Sequence, residues 1–447
     1  EEALLFELAR ASARDALVCS YPRFEEETGK ERIPSSFLRF IAGYSIDGAH
    51  GPGLDHERIS RLPPGARGVE LLSEAELDFE RARAYASGAG VLPDNAFFSR
   101  GARLVTARYE TRIFTPYDGV FSSRGALDEL RAMLEERQWR FAPTSLERYA
   151  GCPFEYFLSS ALGVGVLEEP ERMVSIAPSE RGILVHEILA SLFRELKERG
   201  LLPIREAPAQ NVMELTERIV TRHLDDFPKT DPVGLPVFWE MEKRLVRESV
   251  RILIEEERLE TDGFVPSYFE KWFGADRGGI DVPCPCGGRT LSFHGRIDRI
   301  DVAADGRFRV IDYKTGKLMG KDQDIAGGTA LQLPVYLMAA ARILGAGIET
   351  GEARYRHVGT GGGKGAVVFS GSLWEASGEV FTRTVDTIAR GIERGVFFAP
   401  ADPQTCRFCD VRTACVAGAS RLFRMKAAND ERAREYLDLS CGEEAAE

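Results

Sequence analysis

Leucine or isoleucine recurs at every fourth position from Leu184 to Leu196, within the segment Ser179–Arg199. Side chains spaced in this way lie on one face of a helix, and Gly200 follows as a stop signal. The pattern therefore predicts an amphipathic helix with one buried face. His186 lies within it.

Similar helical patterns occur in four other segments, namely Ser73–Ser87, Ala126–Gln138, the apolar stretch Leu331–Leu344, and Phe381–Arg394. Two other runs, Leu291–Ile297 and Phe308–Ile311, are short and strand-like. The chain after Ser420 is expected to form a helix followed by a frayed acidic end. The hydrophobic pattern thus predicts helices interspersed with strands.

Each strand-like run ends in charged residues that suit metal-dependent phosphodiester cleavage. Asp298 follows the first run, and Asp312 and Lys314 close the second. Successive strand side chains point to opposite faces, so Asp312 and Lys314 share a face. Two carboxylates between paired strands suit Mg²⁺ or Mn²⁺, and a lysine can offset charge that develops in the transition state. Taken alone, an Asp-x-Lys pair is equally compatible with a solvated strand end.

Polar residues on two of the predicted helices extend this pattern. Gln332 and Tyr336 lie one turn apart. Pro334 fits only the first turn of a helix, which places the start of that helix near Gln332. A single histidine such as His186 is more typical of a structural role. The whole order, a helix with His, strands with Asp and Asp-x-Lys, and a helix with Gln and Tyr, favours an active site.

These residues resemble the nuclease motifs of the RecB-like branch of the PD-(D/E)XK nucleases. The motifs that carry the resemblance are His186, Gly295–Asp301, Ile311–Gly316 and the pair Gln332 and Tyr336. The resemblance covers roughly Phe141 to Ser420. It implies an α/β fold with a mixed sheet flanked by helices, and strands near Val265–Phe273, Leu291–Val302, Arg307–Lys314 and Ala353–Val358.

The same resemblance implies a role for each site residue. His186, Asp298 and Asp312 would ligate a catalytic Mg²⁺ or Mn²⁺ with help from the Tyr313 backbone carbonyl. Lys314 would position or activate the attacking water. The remaining pair, Gln332 and Tyr336, would contact DNA or orient the site.

Eight cysteines give a second signal: Cys19, Cys152, Cys284, Cys286, Cys406, Cys409, Cys415 and Cys441. A long acidic chain without a signal peptide has no need of disulfide staples. The spacing Cys406-x₂-Cys409-x₅-Cys415 indicates a chelating cluster that lacks one ligand, and Cys152 is the predicted fourth. Spacing alone leaves Zn²⁺ and an iron–sulfur cluster equally open.

One cysteine before the nuclease core and three after it resemble the iron-staple nuclease domain of AddB-type helicase–nuclease subunits. This resemblance implies that Cys152, Cys406, Cys409 and Cys415 hold a [4Fe–4S] cluster that ties the two ends of the domain together. It also implies an AddA-type motor helicase–nuclease subunit as partner, which would feed single-stranded DNA to the site.

Two other motifs have simpler interpretations. Cys284-Pro285-Cys286 is expected in a hairpin loop with two ordinary thiols. Gly359–Gly365 fails the phosphate-loop pattern, because Val358 stands where its first glycine should be and Gly365 follows the lysine. A hairpin between strands Ala353–Val358 and Ala366–Phe369 is expected there.

Composition indicates a globular protein without a membrane span, and its net charge at first argues against a polyanion partner. The 447 residues are 44% apolar and 29% charged, with a formal net charge of −12. We expect a cytoplasmic protein. Basic residues are nevertheless frequent around the proposed site, which favours phosphate contacts, although such a run is usually a solvated face: Arg296, Arg299, Arg307, Arg309, Lys314, Lys317 and Lys321.

Three domains are predicted. Residues 1–140 would be the C-terminal remnant of a helicase-like domain, because Leu8–Ala11 and the apolar run Ala16–Cys19 resemble the last motif of superfamily-one helicases with Arg10 as its arginine. Residues 141–425 would form the nuclease domain, and residues 426–447 an acidic tail. The chain would then be a fragment of a longer protein.

Together with the motifs, these resemblances imply a Mg²⁺-dependent nuclease that cleaves single DNA strands in double-strand-break repair and recombination. Three alternatives stay open: a stand-alone four-cysteine nuclease of the CRISPR-associated type, a DNA-binding scaffold with a vestigial site, and a structural zinc protein. The complete set of site residues and the helicase-like segment favour the first interpretation over these.

Overall fold

The computed structural model of the protein describes residues 2–12, 14, 74–89, 95–165, 174–275, 278–316, 325, 327–360, 367–400, 406–407, 409–416 and 418–440. The chain forms two compact units, Glu1–Ser99 and Arg100–Glu447. None of the helices in these ranges is long and apolar enough to cross a membrane.

The first unit is helical where it is described. Its elements are α1 (Glu2–Ser12), α2 (Glu74–Ala86) and the start of α3 (Ala96–Val105). Arg10 lies on α1, where it pairs with Glu7 at 2.7 Å. The predicted helix Ser73–Ser87 is confirmed as α2, whereas the run 16–19 lies outside the described residues. The helicase-like origin of residues 1–140 and the three domain boundaries stay predictions.

The second unit contains two sheets. Its strands are β1 (Arg140–Phe141), β2 (Phe264–Phe273), β3 (Val282–Cys286), β4 (Arg289–Phe293), β5 (Gly295–Ala303), β6 (Phe308–Lys314), β7 (Gly351–His357) and β8 (Val368–Ser370). The larger sheet has the order β2-β5-β6-β7-β8, and the smaller one β1-β4-β3. In the larger sheet β6 and β7 pair in parallel and the other pairs are antiparallel. This is the predicted mixed sheet.

Helices cover both faces of the larger sheet. The main helices of this unit, which do not all contact that sheet, are α4 (Arg124–Glu136), α5 (Pro143–Gly151), α6 (Pro178–Glu198), α7 (Ala209–Asp226), α8 (Pro236–Leu259), α9 (Gln332–Leu344), α10 (Gly371–Glu393), α11 (Ala419–Ala427) and α12 (Glu431–Ser440). Ile311 and Tyr313 of β6 pack with α6, α7 and α8. Phe308 and Val310 pack on the opposite face with α5, α9 and α10. Asp312 shares that second face because strand side chains alternate.

One strand prediction was wrong. Leu291–Val302 is not a single strand but forms β4 and β5, which belong to different sheets. The chain changes sheets at His294 and Gly295. Gly295 is required there, because a Cβ atom would come within 2.8 Å of the ring of Phe273.

Two smaller predictions are also revised. Cys284 and Cys286 are buried on strand β3 rather than in a loop, and the hairpin turn is Gly287–Gly288, where both residues have positive φ. The helix predicted at Phe381–Arg394 begins earlier, as α10, because the Ser370 hydroxyl caps its first turn.

The C-terminal helices belong to the second unit. Phe423 of α11 packs against Phe114 and Phe398, with ring centroids 5.6 Å and 5.2 Å away. Lys426 is fully buried and pairs with Asp118 at 2.7 Å. The predicted helical tail is thus confirmed up to residue 440, and its acidic end, 441–447, lies outside the described residues.

Candidate metal-dependent active site

The fold brings the predicted site residues together at one end of the larger sheet. His186 comes from α6, Asp298 from β5, Asp312 and Lys314 from β6, Gln332 from the first turn of α9 and Tyr336 from the turn after it. The strands fix the carboxylates because β5 and β6 are hydrogen-bonded neighbours. The helices then close over this end of the sheet from both faces.

His186 connects the two strands. Its Nδ1 lies 3.2 Å from Oδ1 of Asp298, and its Nε2 lies 2.9 Å from the carbonyl oxygen of Tyr313. The amide of Tyr313 donates to the other oxygen of Asp298 at 2.8 Å. Burial lowers the pKa of His186, but the hydrogen bond to Asp298 and the negative charges of Asp298 and Asp312 raise it overall.

Asp312 is held by a cation and an amide. Its Oδ2 lies 2.6 Å from Nζ of Lys314, and its Oδ1 accepts from Nε2 of Gln332 at 3.0 Å. Burial and the charge of Asp298 raise the pKa of Asp312 to about 6, against the opposing effect of Lys314. The negative charge of this carboxylate is therefore unfavourable in its buried position, and a bound divalent cation would stabilise it.

Gln332 links this carboxylate to two tyrosines. Its Oε1 accepts from Lys314 at 3.0 Å and from the hydroxyl of Tyr355 at 3.2 Å. Its Nε2 donates to Asp312 and also to the hydroxyl oxygen of Tyr336 at 3.0 Å. The sequence analysis missed Tyr355. Parallel pairing of β6 and β7 places Tyr355 opposite Asp312. The sequence predicted both strands but not how they pair, so Tyr355 could not be assigned to the site.

Glu270 is a second residue that the sequence analysis missed. One oxygen of Glu270, one of Asp298 and a ring nitrogen of His186 all lie within 4.8 Å of one another. Flanking residues Phe269 and Lys271 pair with residues 299 and 297, which leaves Glu270 opposite Asp298. Its φ is 51°, a conformation that is uncommon outside glycine and occurs at functional sites. In sequence it was one charged residue in a predicted strand.

The donor set fits a hard divalent cation. Carboxylate oxygens with one imidazole suit Mg²⁺ or Mn²⁺. Oε2 of Glu270 and Oδ2 of Asp312 are buried, and each lies 2.6 Å from a cationic side chain, Arg296 and Lys314 respectively. Asp312 is not part of the 4.8 Å group, because its oxygens face Lys314 and Gln332.

The predicted cluster cysteines lie in one neighbourhood. Burial raises the pKa of Cys152 to about 12, and negative charge on Cys415 contributes. Burial likewise raises the pKa of Cys409 and Cys415, and charge on Cys406 adds to both. These mutual effects place the four thiols in one region, but no three of these described cysteines have sulfur atoms within 4.8 Å of one another. None of these four cysteines forms a disulfide.

The predicted basic patch was wrong for two of its members. Arg299 is 2% exposed and pairs with Asp301 at 2.6 Å and Glu257 at 2.8 Å. Arg309 is also buried, between Asp262 and Glu352. Both point to the face of the sheet that α6, α7 and α8 cover, so they cannot contact phosphate. Lys317 and Lys321 lie outside the described residues.

Fold and site together define a metal-dependent nuclease of the PD-(D/E)XK type. The sequence model of the PD-(D/E)XK nuclease superfamily matches residues 140–416. Because this match covers more than half of the chain, the protein belongs to that superfamily. The range also agrees with the predicted extent of the resemblance.

Several relatives are named as the B-type subunit of an ATP-dependent helicase/deoxyribonuclease. The protein of Moorella thermoacetica is 34% identical over 225 residues, which is 47% of this chain and 18% of that protein. The one from Lacticaseibacillus casei is 30% identical over 230 residues, 49% of this chain and 19% of that protein. The protein of Thermoanaerobacter sp. (strain X514) is 28% identical over 204 residues, which is 44% of this chain and 17% of that protein. The aligned part thus spans less than a fifth of each relative.

Proposed function

We propose that this chain is the nuclease part of a helicase–deoxyribonuclease subunit, and that it cleaves single-stranded DNA with Mg²⁺ or Mn²⁺ during double-strand-break repair and recombination. The observation that carries the proposal is the grouping of His186, Glu270 and Asp298 beside the Asp312–Lys314 pair. Superfamily membership and the names of the relatives support it independently.

In this proposal His186, Glu270, Asp298 and Asp312 hold the metal. When bound, the ion polarises the phosphate and lowers the pKa of the attacking water. Lys314 would place a positive charge at the same end of the sheet, where it offsets charge that develops on the phosphate. The Tyr313 carbonyl lies beside His186 and completes the set of candidate oxygen donors.

Gln332 and Tyr336 would orient the other side chains of the active site or the DNA. Gln332 fixes Asp312 and Lys314 relative to each other through one amide group. Positioning of this kind contributes to rate because reacting groups must meet in a narrow range of geometry. Tyr336 is buried next to Gln332, and its hydroxyl would contact the DNA or the site's hydrogen-bond network.

The four cysteines would hold a [4Fe–4S] cluster. Their spacing in sequence and the electrostatic effects that they exert on one another support a bound metal centre. Colour distinguishes iron from zinc, since an iron–sulfur protein absorbs broadly in the visible range and a zinc protein does not. Iron and sulfide analysis after anaerobic purification tests this part of the proposal.

The proposed partner is an AddA-type motor subunit that delivers one unwound strand, in the cytoplasm. A motor that supplies the strand would explain why an acidic chain with buried arginines at its site need not bind DNA tightly. Co-purification with a large ATPase would support this assembly. Isolation of a fully active chain without any partner would instead favour a stand-alone nuclease.

The decisive test is Asp312→Ala with end-labelled single-stranded DNA and Mg²⁺. We expect cleavage to fall by roughly 100-fold or more, because the variant loses the carboxylate and leaves Lys314 without its partner. Asp305→Ala, at an exposed position with 56% side-chain exposure, is the matched control and should keep full activity. Undiminished cleavage by Asp312→Ala in the presence of excess metal would rule out the proposed site.

A further inference from the structure

Glu147 lies outside the group of candidate ligands but contacts the helix that carries Gln332. It is on α5, and its Oε1 accepts from the backbone N–H groups of Leu331 and Gln332, both at 2.7 Å. These are the first N–H groups of α9, which have no acceptor within their own helix. Leu331, at the N-cap position, has no side-chain acceptor to offer. Glu147 therefore caps α9 from a different helix.

The capped turn is the one that reaches the candidate active site. Gln332 receives the cap on its backbone and contacts Asp312 and Lys314 with its side chain. Backbone and side chain are joined at one Cα atom, so the position of the Glu147 carboxylate determines where the amide of Gln332 lies.

Glu147 is half-buried beside the candidate site. Burial raises the pKa of this carboxyl to about 7, against the two backbone hydrogen bonds and the charge of Lys314, which lower it. Glutamine could accept the same hydrogen bonds without a charge to bury, so the cap requires an acceptor oxygen and not the charge.

Helix α5 also leads into the proposed cysteine cluster. It ends at Gly151, and Cys152 follows as its C-cap residue with its amide bonded to the carbonyl of Arg148. The hydroxyl of Tyr436 donates to the carbonyl of Ala150 at 2.6 Å. The short helix α5 thus ends next to Cys152, a residue of the proposed cluster, and carries Glu147, which caps α9, about one and a half turns earlier.

We propose that Glu147 is a positioning residue for the cleavage reaction, which sets the amide of Gln332 against Asp312 and Lys314 by capping α9. This inference rests on the proposed nuclease function. In this proposal α5 connects the two regions, because it ends next to Cys152 and carries the residue that caps α9.

The test compares Glu147→Ala, Glu147→Asp and Glu147→Gln in the full chain. Ala removes the acceptor oxygen, and Asp shortens the side chain by one methylene. Both should lower kcat on single-stranded DNA by about 10-fold or more while KM changes by less than about 2-fold. A small displacement of the Gln332 amide should lower the rate of cleavage rather than the affinity for DNA. Gln retains an acceptor oxygen and should keep most of kcat. Glu129→Ala, an exposed position on α4, is the matched control and should behave like the original protein.

A double-mutant cycle separates positioning from general loss of structure. If Glu147 acts through Gln332, the Ala substitution at 147 should have almost no further effect on kcat in a Gln332→Ala background. Equal and additive losses in both backgrounds would overturn the proposal. Should Glu147→Ala fail to fold, the same cycle with Glu147→Asp gives the answer.

Amide hydrogen exchange gives a readout that does not depend on cleavage. In metal-free protein without DNA, Glu147→Ala should accelerate exchange at Leu331 and Gln332 by about 10-fold or more, whereas Glu147→Gln should not. Unchanged exchange in the Ala variant would overturn the capping role. If the unsubstituted protein did not cleave DNA but the variants showed the predicted exchange rates, the nuclease proposal would be refuted and the capping role of Glu147 would stand.

Discussion

At the residue scale, Glu270 changes the composition of the candidate metal site. The sequence motifs contained His186, Asp298 and Asp312, but among the described residues the group with ligand atoms within 4.8 Å of one another contains Glu270 in place of Asp312. Arg296 lies 2.6 Å from Glu270 and partly neutralises it. Burial and the charge of Asp298 raise the pKa of Glu270. A carboxylate in this setting is suited to exchange an arginine partner for a cation.

Glu270→Gln should therefore weaken metal binding. We expect the Mg²⁺ concentration for half-maximal cleavage to rise by about 10-fold or more, because loss of a partner in a metal site commonly has such an effect on affinity. Mn²⁺ titration followed by electron paramagnetic resonance measures binding directly, without DNA. Glu206→Gln, at a position with 66% side-chain exposure, should leave both values unchanged. Equal metal affinity in the Glu270 variant would remove this residue from the ligand set.

At the element scale, the sequence predicted the elements better than their contacts. The helix at His186, the strand ending in Lys314 and the helix starting at Gln332 appear nearly where periodicity and the position of Pro334 placed them. Pairing was not predictable, because hydrogen bonding between distant strands leaves no local pattern in sequence. Glu270 and Tyr355 became visible as site residues only through the register of β2 and β7. The break at Gly295 depends on the ring of Phe273 in a separate strand.

Charge alone was similarly ambiguous. Arg299 and Arg309 fit a solvent-facing basic pattern in sequence, yet strand alternation turns both toward acidic side chains under α8. Because a charged residue in sequence carries no information about its partner, buried ion pairs and exposed phosphate contacts cannot be distinguished without the packing.

The ion pair of α11 makes a prediction about stability. Lys426 is fully buried, and the side chain of its partner Asp118 is 5% exposed. Lys426→Ala leaves a buried carboxylate without its cation, which should lower the free energy of unfolding by about 3–5 kcal/mol in urea titration. Lys229→Ala, whose side chain is 70% exposed, is the control and should have little effect. A small loss in the Lys426 variant would show that this ion pair contributes little to the stability of the folded chain.

At the scale of the whole molecule, the proposed cluster joins segments that are far apart in sequence. Cys152 precedes the larger sheet, and Cys406, Cys409 and Cys415 follow its last helix, α10. A ligand bridge across so long a loop restricts the unfolded chain. The folded state is stabilised accordingly, by at most about 4–5 kcal/mol if the bridge acts like a disulfide.

Cys409→Ala should remove the iron chromophore, lower the melting temperature and weaken DNA binding. Visible absorption, iron content and thermal unfolding under anaerobic conditions measure the first two effects. Cys284→Ala is the matched control, because this thiol is buried on β3 and outside the proposed cluster, so full iron content is expected. A Cys409 variant with unchanged absorption and melting temperature would contradict the cluster assignment.

The amide of Gln332 has a consequence for Tyr336. Because Nε2 of Gln332 donates to the phenolic oxygen, the hydroxyl hydrogen of Tyr336 must point away from that amide. The phenolic oxygen thus already accepts from the amide, and the hydroxyl is left to donate its hydrogen on the opposite side. In this way Gln332 would set the hydrogen-bonding role of the neighbouring phenol, although no contact between Gln332 and the metal is proposed.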